Sequence, residues 1–317
     1  MAGMYYFLVN PASRSGRAGK CWERIEEVLK KRGISYKVHF TRQKGDMKRL
    51  ARELTLPGER ADEVHLVVLG GDGTVNEAVS GIQDFASTRF SFIPTGSGND
   101  LARDMGISRD PVKALEQLLR ADRARPMDVG SVHYNDAPLP DQLFVDSAGI
   151  GFDAGVCREV QHSSIKTLLN RFGLGKLAYL FVALRQLLKS PNAQAELDMK
   201  TADGRMRHVR FSRLMFTAFM SHRFEGGGFQ FSPQADASDG LLDLCIVHDV
   251  PRWKVLLVLP TAFWGGHYRF REVTGLRGSW FRIRTTLPLW VHTDGEVAAS
   301  SCDITVTCHK KLLRFYY

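Results

Sequence analysis

The chain has 317 residues, 44% of them hydrophobic, which suffices to bury one large core or two moderate ones and excludes a disordered protein. Its 43 Lys and Arg outweigh 34 Asp and Glu, for a formal charge of +9. That excess suits phosphates or an anionic membrane surface, without choosing among nucleic acid, nucleotide and lipid.

In chain order, YYFLVN (Tyr5 to Asn10) reads as a strand, and the opening residues lack the basic n-region and apolar length of a signal peptide. The polar loop Asn10-Pro11-Ala12-Ser13-Arg14-Ser15-Gly16 follows, then a helix from about Arg17 to Arg32 stopped by Gly33. YKVHF (Tyr36 to Phe40) is the next strand. A polar helical stretch leads to HLVVLGG (His65 to Gly71), a helix begins near Thr74, and FSFIP (Phe90 to Pro94) is a further strand. Continuous apolar strands separated by helices predict a parallel sheet covered on both faces.

Beyond about Asp128 the texture changes to strand-like runs with Gly-rich turns: LFVDSAGIGF, VRFSRLMFTAFM, LLDLCIV, WFRIR and LWVHT. These predict an antiparallel sheet or sandwich. A helical stretch, roughly Ser164 to Lys189, interrupts them. Its most apolar part, Leu174 to Leu188, is broken by Lys176 and Arg185 and falls short of the ~20 residues of a membrane span, so any membrane contact is expected to be peripheral. The five cysteines show no CxxC spacing, so neither a zinc ribbon nor a disulfide framework is indicated, and a reducing cytoplasm fits.

The most informative segment is Gly70-Gly71-Asp72-Gly73-Thr74-Val75-Asn76-Glu77, between a strand and a helix. Glycines without a Cβ let backbone N–H groups approach an anion, and the helix N-terminus adds partial positive charge. Thr74 and Asn76 add neutral donors. Asp72 would repel a phosphate unless a metal ion or a hydrogen-bonded water mediates, which points towards Mg²⁺-nucleotide chemistry. The alternative is a Gly-rich turn with Thr74 as helix cap. A Walker A loop is excluded because no Lys-Ser/Thr pair follows, and the third glycine of a dinucleotide fingerprint is missing. A second loop, Pro94-Thr95-Gly96-Ser97-Gly98-Asn99-Asp100-Leu101-Ala102-Arg103, follows the next strand; alone it reads first as a helix-capping turn with Asn99 or Asp100 as cap, but two such loops would face one crevice.

These segments resemble the diacylglycerol kinase catalytic superfamily: GGDGTVNE its nucleotide loop, PTGSGNDLAR the motif after it, and NPASRSG its opening loop. Later pieces agree in order: Ser147 to Ala154 (SAGIGFDA), Gly226 to Phe229 (GGGF), Ser238 to Asp243 (SDGLLD) and Asp294-Gly295-Glu296. GGDGT alone is shared with NAD kinases and phosphofructokinases. The resemblance implies an N-terminal parallel-sheet α/β domain similar to those enzymes, residues 1–130, completed by about 305–317, and a C-terminal antiparallel β-sandwich for the lipid substrate, residues 131–304.

It further implies an ATP-dependent lipid kinase, with diacylglycerol as the default acceptor and phosphatidylglycerol, monoacylglycerol or a sphingoid base as rivals. An NAD kinase-like enzyme is the nearest alternative. By the same resemblance Glu296 is the general base, with Asp72 as a second catalytic carboxylate. Asn10, Pro11, Ala12, Ser13, Arg14, Thr41, Gly70 to Glu77, Thr95, Gly96 and Gly98 bind nucleotide, and Asp236, Asp239 and Leu241 hold Mg²⁺. On residues alone, Asp294-Gly295 reads equally as a turn, and Asp239-Gly240 reads as a turn between strands. His267 and His292 read as packed or surface histidines, and Cys302 and Cys308 as ordinary half-buried thiols.

Acid-free runs at Val160 to Ala195, with Lys166, Arg171, Lys176, Arg185 and Lys189, and at Gly204 to Phe224 and Val273 to Thr293, are candidate contacts to anionic lipid. The first reads equally as a packed helix with a basic outer face. The expectation is a cytoplasmic enzyme on the inner membrane face, with no nucleic-acid partner and with a homodimer as an open alternative.

Overall fold

The computed structural model describes residues 4–58, 63–162, 185–187, 191 and 193–317, apart from the side chains of residues 14–17 and 162. Lys166, Arg171, Lys176 and Lys189 lie outside the described residues.

The first strands, β1 (Tyr5–Val9), β2 (Tyr36–Phe40), β3 (Val64–Gly70) and β4 (Thr88–Pro94), pair in parallel in the order β4-β3-β1-β2. Helices α1 (Ser13–Lys31), α2 (Asp46–Leu54), α3 (Asp72–Val79), α4 (Asp100–Met105) and α5 (Pro111–Arg120) accompany them. Every residue of β3 is buried, as the unbroken apolar run VHLVVLG requires of a strand covered on both faces. Phe7, Leu66, Val68, Phe90 and Phe92 pack there with Ile25 and Leu29 of α1 and Leu115 of α5.

Two helices start earlier than their periodicity suggests. The Asn10 carbonyl accepts the Ser13 N–H and its side-chain Oδ1 accepts that of Ala12, both at 3.1 Å, so the chain turns into α1 at Ser13 rather than Arg17. Helix α3 starts at Asp72, because the Gly71 carbonyl already accepts from Thr74 and Val75.

The second half contains β5 (Arg125–Tyr134), β6 (Gln142–Phe144), β7 (Ser147–Gly151), α6 (Phe152–His162), β8 (Ala193–Thr201), β9 (Met206–Met220), β10 (Leu242–His248), α7 (Arg252–Thr261), β11 (Val273–Thr293) and β12 (Glu296–Phe315). WFRIR and LWVHT are one strand, β11, with its register shifted between Arg284 and Leu289. Strands β7, β8 and β10 each pair antiparallel with both β9 and β11, wrapping a core of Ile150, Leu197, Phe219, Leu244, Phe281 and Val291 into a β-sandwich. Strand β12 pairs with β11 and β5, and its last residues, Arg314 and Phe315, lie parallel to Arg89 and Phe90 of β4. One strand therefore runs from the Asp294-Gly295 turn into the N-terminal sheet.

In two of the acid-free runs, most of the basic side chains meet acids from neighbouring segments. In β9, His208 meets Asp198 and Arg210 meets Glu196, both in β8, while Arg213 meets Asp249. In β11, Arg282 meets Asp303 and Arg284 meets Asp198. A run of like charge along the chain is not a patch when its partners arrive from neighbouring strands.

Candidate active site

Parallel register sets the carboxyl ends of β1, β3 and β4 side by side, and a polar loop leaves each. Asn10 Nδ2 donates to Thr74 Oγ1 at 3.3 Å, tying the first loop to the glycine loop. Ser13 Oγ donates to the Thr95 carbonyl at 3.1 Å, and the Thr95 N–H reaches the Gly70 carbonyl at 2.7 Å. Thr41 is buried beside β1, its N–H on the Val9 carbonyl at 2.9 Å. Pro11 and Ala12 sit at the partly exposed turn into α1, and the side chain of Arg14 lies outside those described.

The glycines serve different ends. A Cβ on Gly96 would fall 2.6 Å from Gly71 Cα, and one on Gly70 would strike the Thr74 side chain, so both permit close packing within the protein. A Cβ on Gly71 would come within 3.3 Å of Gly96 Cα, and one on Gly98 within 3.3 Å of Asp72 Oδ2. At Gly73 a Cβ would meet nothing within 4 Å, so that position borders open space. Val75 packs in the core, and Glu77 Oε2 accepts the Gly45 N–H at 3.2 Å.

The β11–β12 hairpin turns at Asp294 (φ 47°) and Gly295 (φ 80°), positive angles at both central residues that suit an Asp-Gly pair. Asp294 does more than turn. Its carboxylate accepts the Val145, Asp146 and Ser147 N–H groups at 2.7–2.9 Å, and Asn76 Nδ2 of α3 at 2.7 Å. The Asn76 bond draws the sandwich's turn against the glycine loop's helix. Glu296, next in the chain, sits half exposed at the rim, where Lys44 Nζ lies 2.5 Å and Gln161 Nε2 3.2 Å from its Oε2.

Behind the turn lies a buried acidic group that sequence reasoning did not assemble. Asp72 Oδ2 accepts the Asp100 N–H at 3.3 Å, while its Oδ1 has no partner. Burial, then the Asp100 and Asp294 carboxylates, raise the Asp72 pKa to about 6. Asp146, between β6 and β7, is pushed well above the usual carboxylate range by burial and then by Asp72, and its Oδ1 is also unpartnered. Asp100 is compensated by Arg103 and by the Gly227 N–H at 2.6 Å.

Glu225, raised to about 7 chiefly by burial, faces His292 Nε2 at 3.4 Å, and Asp153 Oδ2 faces the same nitrogen at 3.2 Å. His292 is fully buried, and its Nδ1 lies 3.2 Å from the Gly295 nitrogen, a bond the ring can accept only in its neutral form with the proton on Nε2. Burial opposes a charged ring, and the two carboxylates outweigh it, raising its pKa to about 9. Protonating Nδ1 would release the Gly295 N–H, so the ring's charge and the turn's geometry are coupled. An acid within an apolar run, as Asp146 is in LFVDSAG, was the available signal for this group.

Mg²⁺ takes oxygen ligands, commonly one or two carboxylates with substrate phosphates completing the shell. The orphaned, buried Asp72 Oδ1 and Asp146 Oδ1 fit that need. Among the described residues no three His, Cys, Asp or Glu side chains converge as a metal site by themselves. At the other predicted position, Asp239 Oδ2 pairs with Arg277 and its Oδ1 accepts the Leu241 N–H at 2.9 Å, while Asp236 Oδ1 accepts from Ser238. A guanidinium already balances that carboxylate. A cavity of about 620 Å³ lined by Met105, Gln117, Arg120, Arg123, Arg125 and Tyr317 shares none of these groups.

Glycine loops on an α/β sheet, faced by a β-sandwich that presents a carboxylate turn, define a kinase of the nucleotide-loop class. The model of the diacylglycerol kinase catalytic domain matches residues 4–132, and that of the YegS C-terminal NAD kinase beta sandwich-like domain matches residues 146–316. A protein of Pseudomonas syringae pv. tomato named "Probable lipid kinase YegS-like" is 31% identical, over 84% of this chain and 79% of its own. A Bacillus subtilis protein named "Diacylglycerol kinase" is 26% identical over 91% of this chain and 88% of its own. A crystal structure of a diacylglycerol kinase from Bacillus anthracis strain Sterne superposes with a TM-score of 0.73 at 20% identity, covering 100% of this chain and 97% of that one. The chain belongs to the diacylglycerol kinase and YegS-like family of lipid kinases. It is a phosphotransferase, and its family implies ATP and a lipid as substrates.

Proposed function

We propose that the enzyme transfers the γ-phosphoryl group of ATP to the free hydroxyl of diacylglycerol, giving phosphatidic acid and ADP; Asp72 and Asp146 would hold the Mg²⁺ that accompanies the nucleotide. The observation that carries this reading is the convergence of three polar loops with the Asp294-Gly295-Glu296 turn, held by the Asn76–Asp294 bond. The nucleotide domain would comprise residues 1–130 closed by the end of β12, a division favoured by the pairing of Arg314 and Phe315 with β4. A Mg²⁺ ion there would neutralise phosphate charge.

The remaining work falls to the chain. Gly71, Gly73 and the first turn of α3 would cradle the phosphates through backbone N–H groups, with Gly73 on the open side. The buried Asp72 and Asp146 oxygens would stand at the ion, and Asp294, anchored by four donors, would hold the turn rigid. Glu296, at the exposed rim with its charge balanced by Lys44, would take the proton from the incoming hydroxyl. Phosphoryl transfer demands mainly such positioning and charge neutralisation.

The diacylglycerol assignment draws on the name of the Bacillus subtilis relative, a diacylglycerol kinase. Its test is labelled-ATP transfer to diacylglycerol, phosphatidylglycerol, monoacylglycerol, a sphingoid base and NAD, with product identification by mass spectrometry. Phosphatidic acid as the main product is expected; preferential labelling of another acceptor would replace diacylglycerol in the reading.

A further inference from the structure

Of the eleven large hydrophobic side chains exposed among the described residues, six fall between Trp253 and Tyr268. Helix α7, RWKVLLVLPT, buries Val255 and Val258 against the sandwich and turns Trp253, Leu256 and Leu257 outward. Trp253 is 66% exposed and Leu257 58%. A surface helix of a water-soluble protein ordinarily turns polar residues outward, and one that is apolar all round belongs in a core or in lipid. The 3₁₀ turns that follow, Ala262–Trp264 and Gly266–Arg269, extend the apolar surface with Phe263 (51% exposed) and Trp264 (65%).

The surroundings point to the nature of the partner. From Val250 to Arg271 the chain has no acid and carries Arg252, Lys254, Arg269 and Arg271, with Glu272 beneath as partner to Lys254 and Arg271. A basic rim around exposed tryptophan and leucine matches a membrane interface, where indole rings sit among headgroups and cations meet lipid phosphates. The surface is also joined to the candidate active site. Phe263 stacks on Phe229 with ring centroids 4.0 Å apart, and the Ala262 carbonyl accepts the Gln230 N–H at 2.7 Å. Phe229 closes the loop whose Gly227 N–H binds Asp100 and whose Glu225 faces His292.

We propose that α7 and the 3₁₀ turns after it insert into the headgroup region of an anionic bilayer and dock the enzyme with its site facing the lipid. The proposal rests on the lipid-kinase reading, since a membrane-resident substrate makes docking useful. It places the contact on an element outside all three acid-free runs considered above.

The experiment compares the full chain with a Trp253→Asp, Trp264→Asp double variant, both side chains being exposed and outside the proposed catalytic groups. Co-sedimentation uses phosphatidylcholine vesicles with and without phosphatidylglycerol, and activity is read on vesicle-borne diacylglycerol and on a short-chain, water-soluble diacylglycerol. The expected result is vesicle binding weakened at least ~10-fold, since interfacial affinity follows buried apolar area, with unchanged melting and unchanged turnover of the soluble lipid. Quenching of wild-type tryptophan fluorescence by brominated lipid should largely disappear in the variant.

Wild-type-like vesicle binding by the double variant, or loss of binding only on replacing Lys166, Arg171 and Lys176, overturns the proposal. So does a wild-type dimer that the variant breaks without change in vesicle binding, which would assign the face to a second copy of the chain. Docking that depends on the tryptophans, without phosphorylation of any lipid, leaves this proposal standing and removes the diacylglycerol reading instead.

Discussion

The molecule treats two groups of carboxylates in opposite ways. Around the Asp239-Gly240 turn, Arg277 reaches both Asp239 and Asp243, and Asp236 turns back onto Ser238, so each acid has a nearby donor or cation. Behind the Asp294-Gly295 turn, Asp146 is buried and Asp72 half-buried, neither has a basic partner among the described residues, and each has a buried oxygen left unbonded. Both regions look alike in sequence, as an Asp-Gly pair beside further acids. Burial without countercharge is unfavourable for the protein alone, and it is the arrangement expected where a ligand supplies the missing charge.

The largest effect that would test this contrast is expected from Asp72→Asn. Phosphoryl transfer should fall by ~1,000-fold, the scale of losing a preorganised electrostatic contact to the reacting group. Stability should move the other way. The folded pKa of Asp72 is raised from 3.8 to about 6, so its contribution is fully present below pH 3.8 and is lost as pH rises through about 6. At neutral pH the nucleotide-free Asn variant should therefore be more stable, by at most ~3 kcal/mol. Denaturant unfolding of both proteins across that range reads it directly; a variant no more stable at pH 7 than at pH 4, relative to wild type, would show that the carboxylate is compensated after all.

Next in size is Glu296→Gln, which keeps the shape and removes the proposed base. A fall in kcat of at least ~100-fold, with nucleotide binding near wild type, is expected from general-base catalysis. Single-turnover transfer beside equilibrium ATP binding separates the two quantities. Near-normal transfer would remove Glu296 from the mechanism and leave Asp72 as the carboxylate to examine.

The glycines sharpen the comparison at the backbone. Gly96→Ala should lower the melting temperature, because its Cβ meets Gly71 and Asn99, whereas Gly73→Ala should fold normally and weaken ATP binding by ~10-fold. Undiminished ATP affinity in Gly73→Ala would sink the phosphate-cradle assignment. Smallest is Asp239→Asn, expected to lose about 1 kcal/mol or less with its partly exposed ion pair and to keep normal Mg²⁺ dependence. Activity lost and then restored at high Mg²⁺ would instead locate an ion at this loop.

The parallel sheet, the three loops at its strand ends and the antiparallel second half were legible in the sequence, because each depends on short-range pattern: apolar runs, glycine spacing and turn dipeptides. Helix starts were misplaced at Ser13 and Asp72, where side-chain and carbonyl bonds begin the turn before the apolar period does. Basic runs in β9 and β11 looked like continuous patches, and cross-strand acids pair with arginines in each.

What only the tertiary structure decided was which charges stand alone. Asp72, Asp146, Glu225 and Asp294 are separated by tens to hundreds of residues, and no local pattern records that they come close enough to act on one another's charge. Nor does an apolar helical segment such as RWKVLLVLPT reveal which of its faces is covered. The sequence by itself determined the elements and the chemistry available to them, because propensity, periodicity and loop composition act over a few residues. Burial and countercharge depend on chains brought together from far apart, and these selected the uncompensated carboxylates and the exposed tryptophans from among many similar residues.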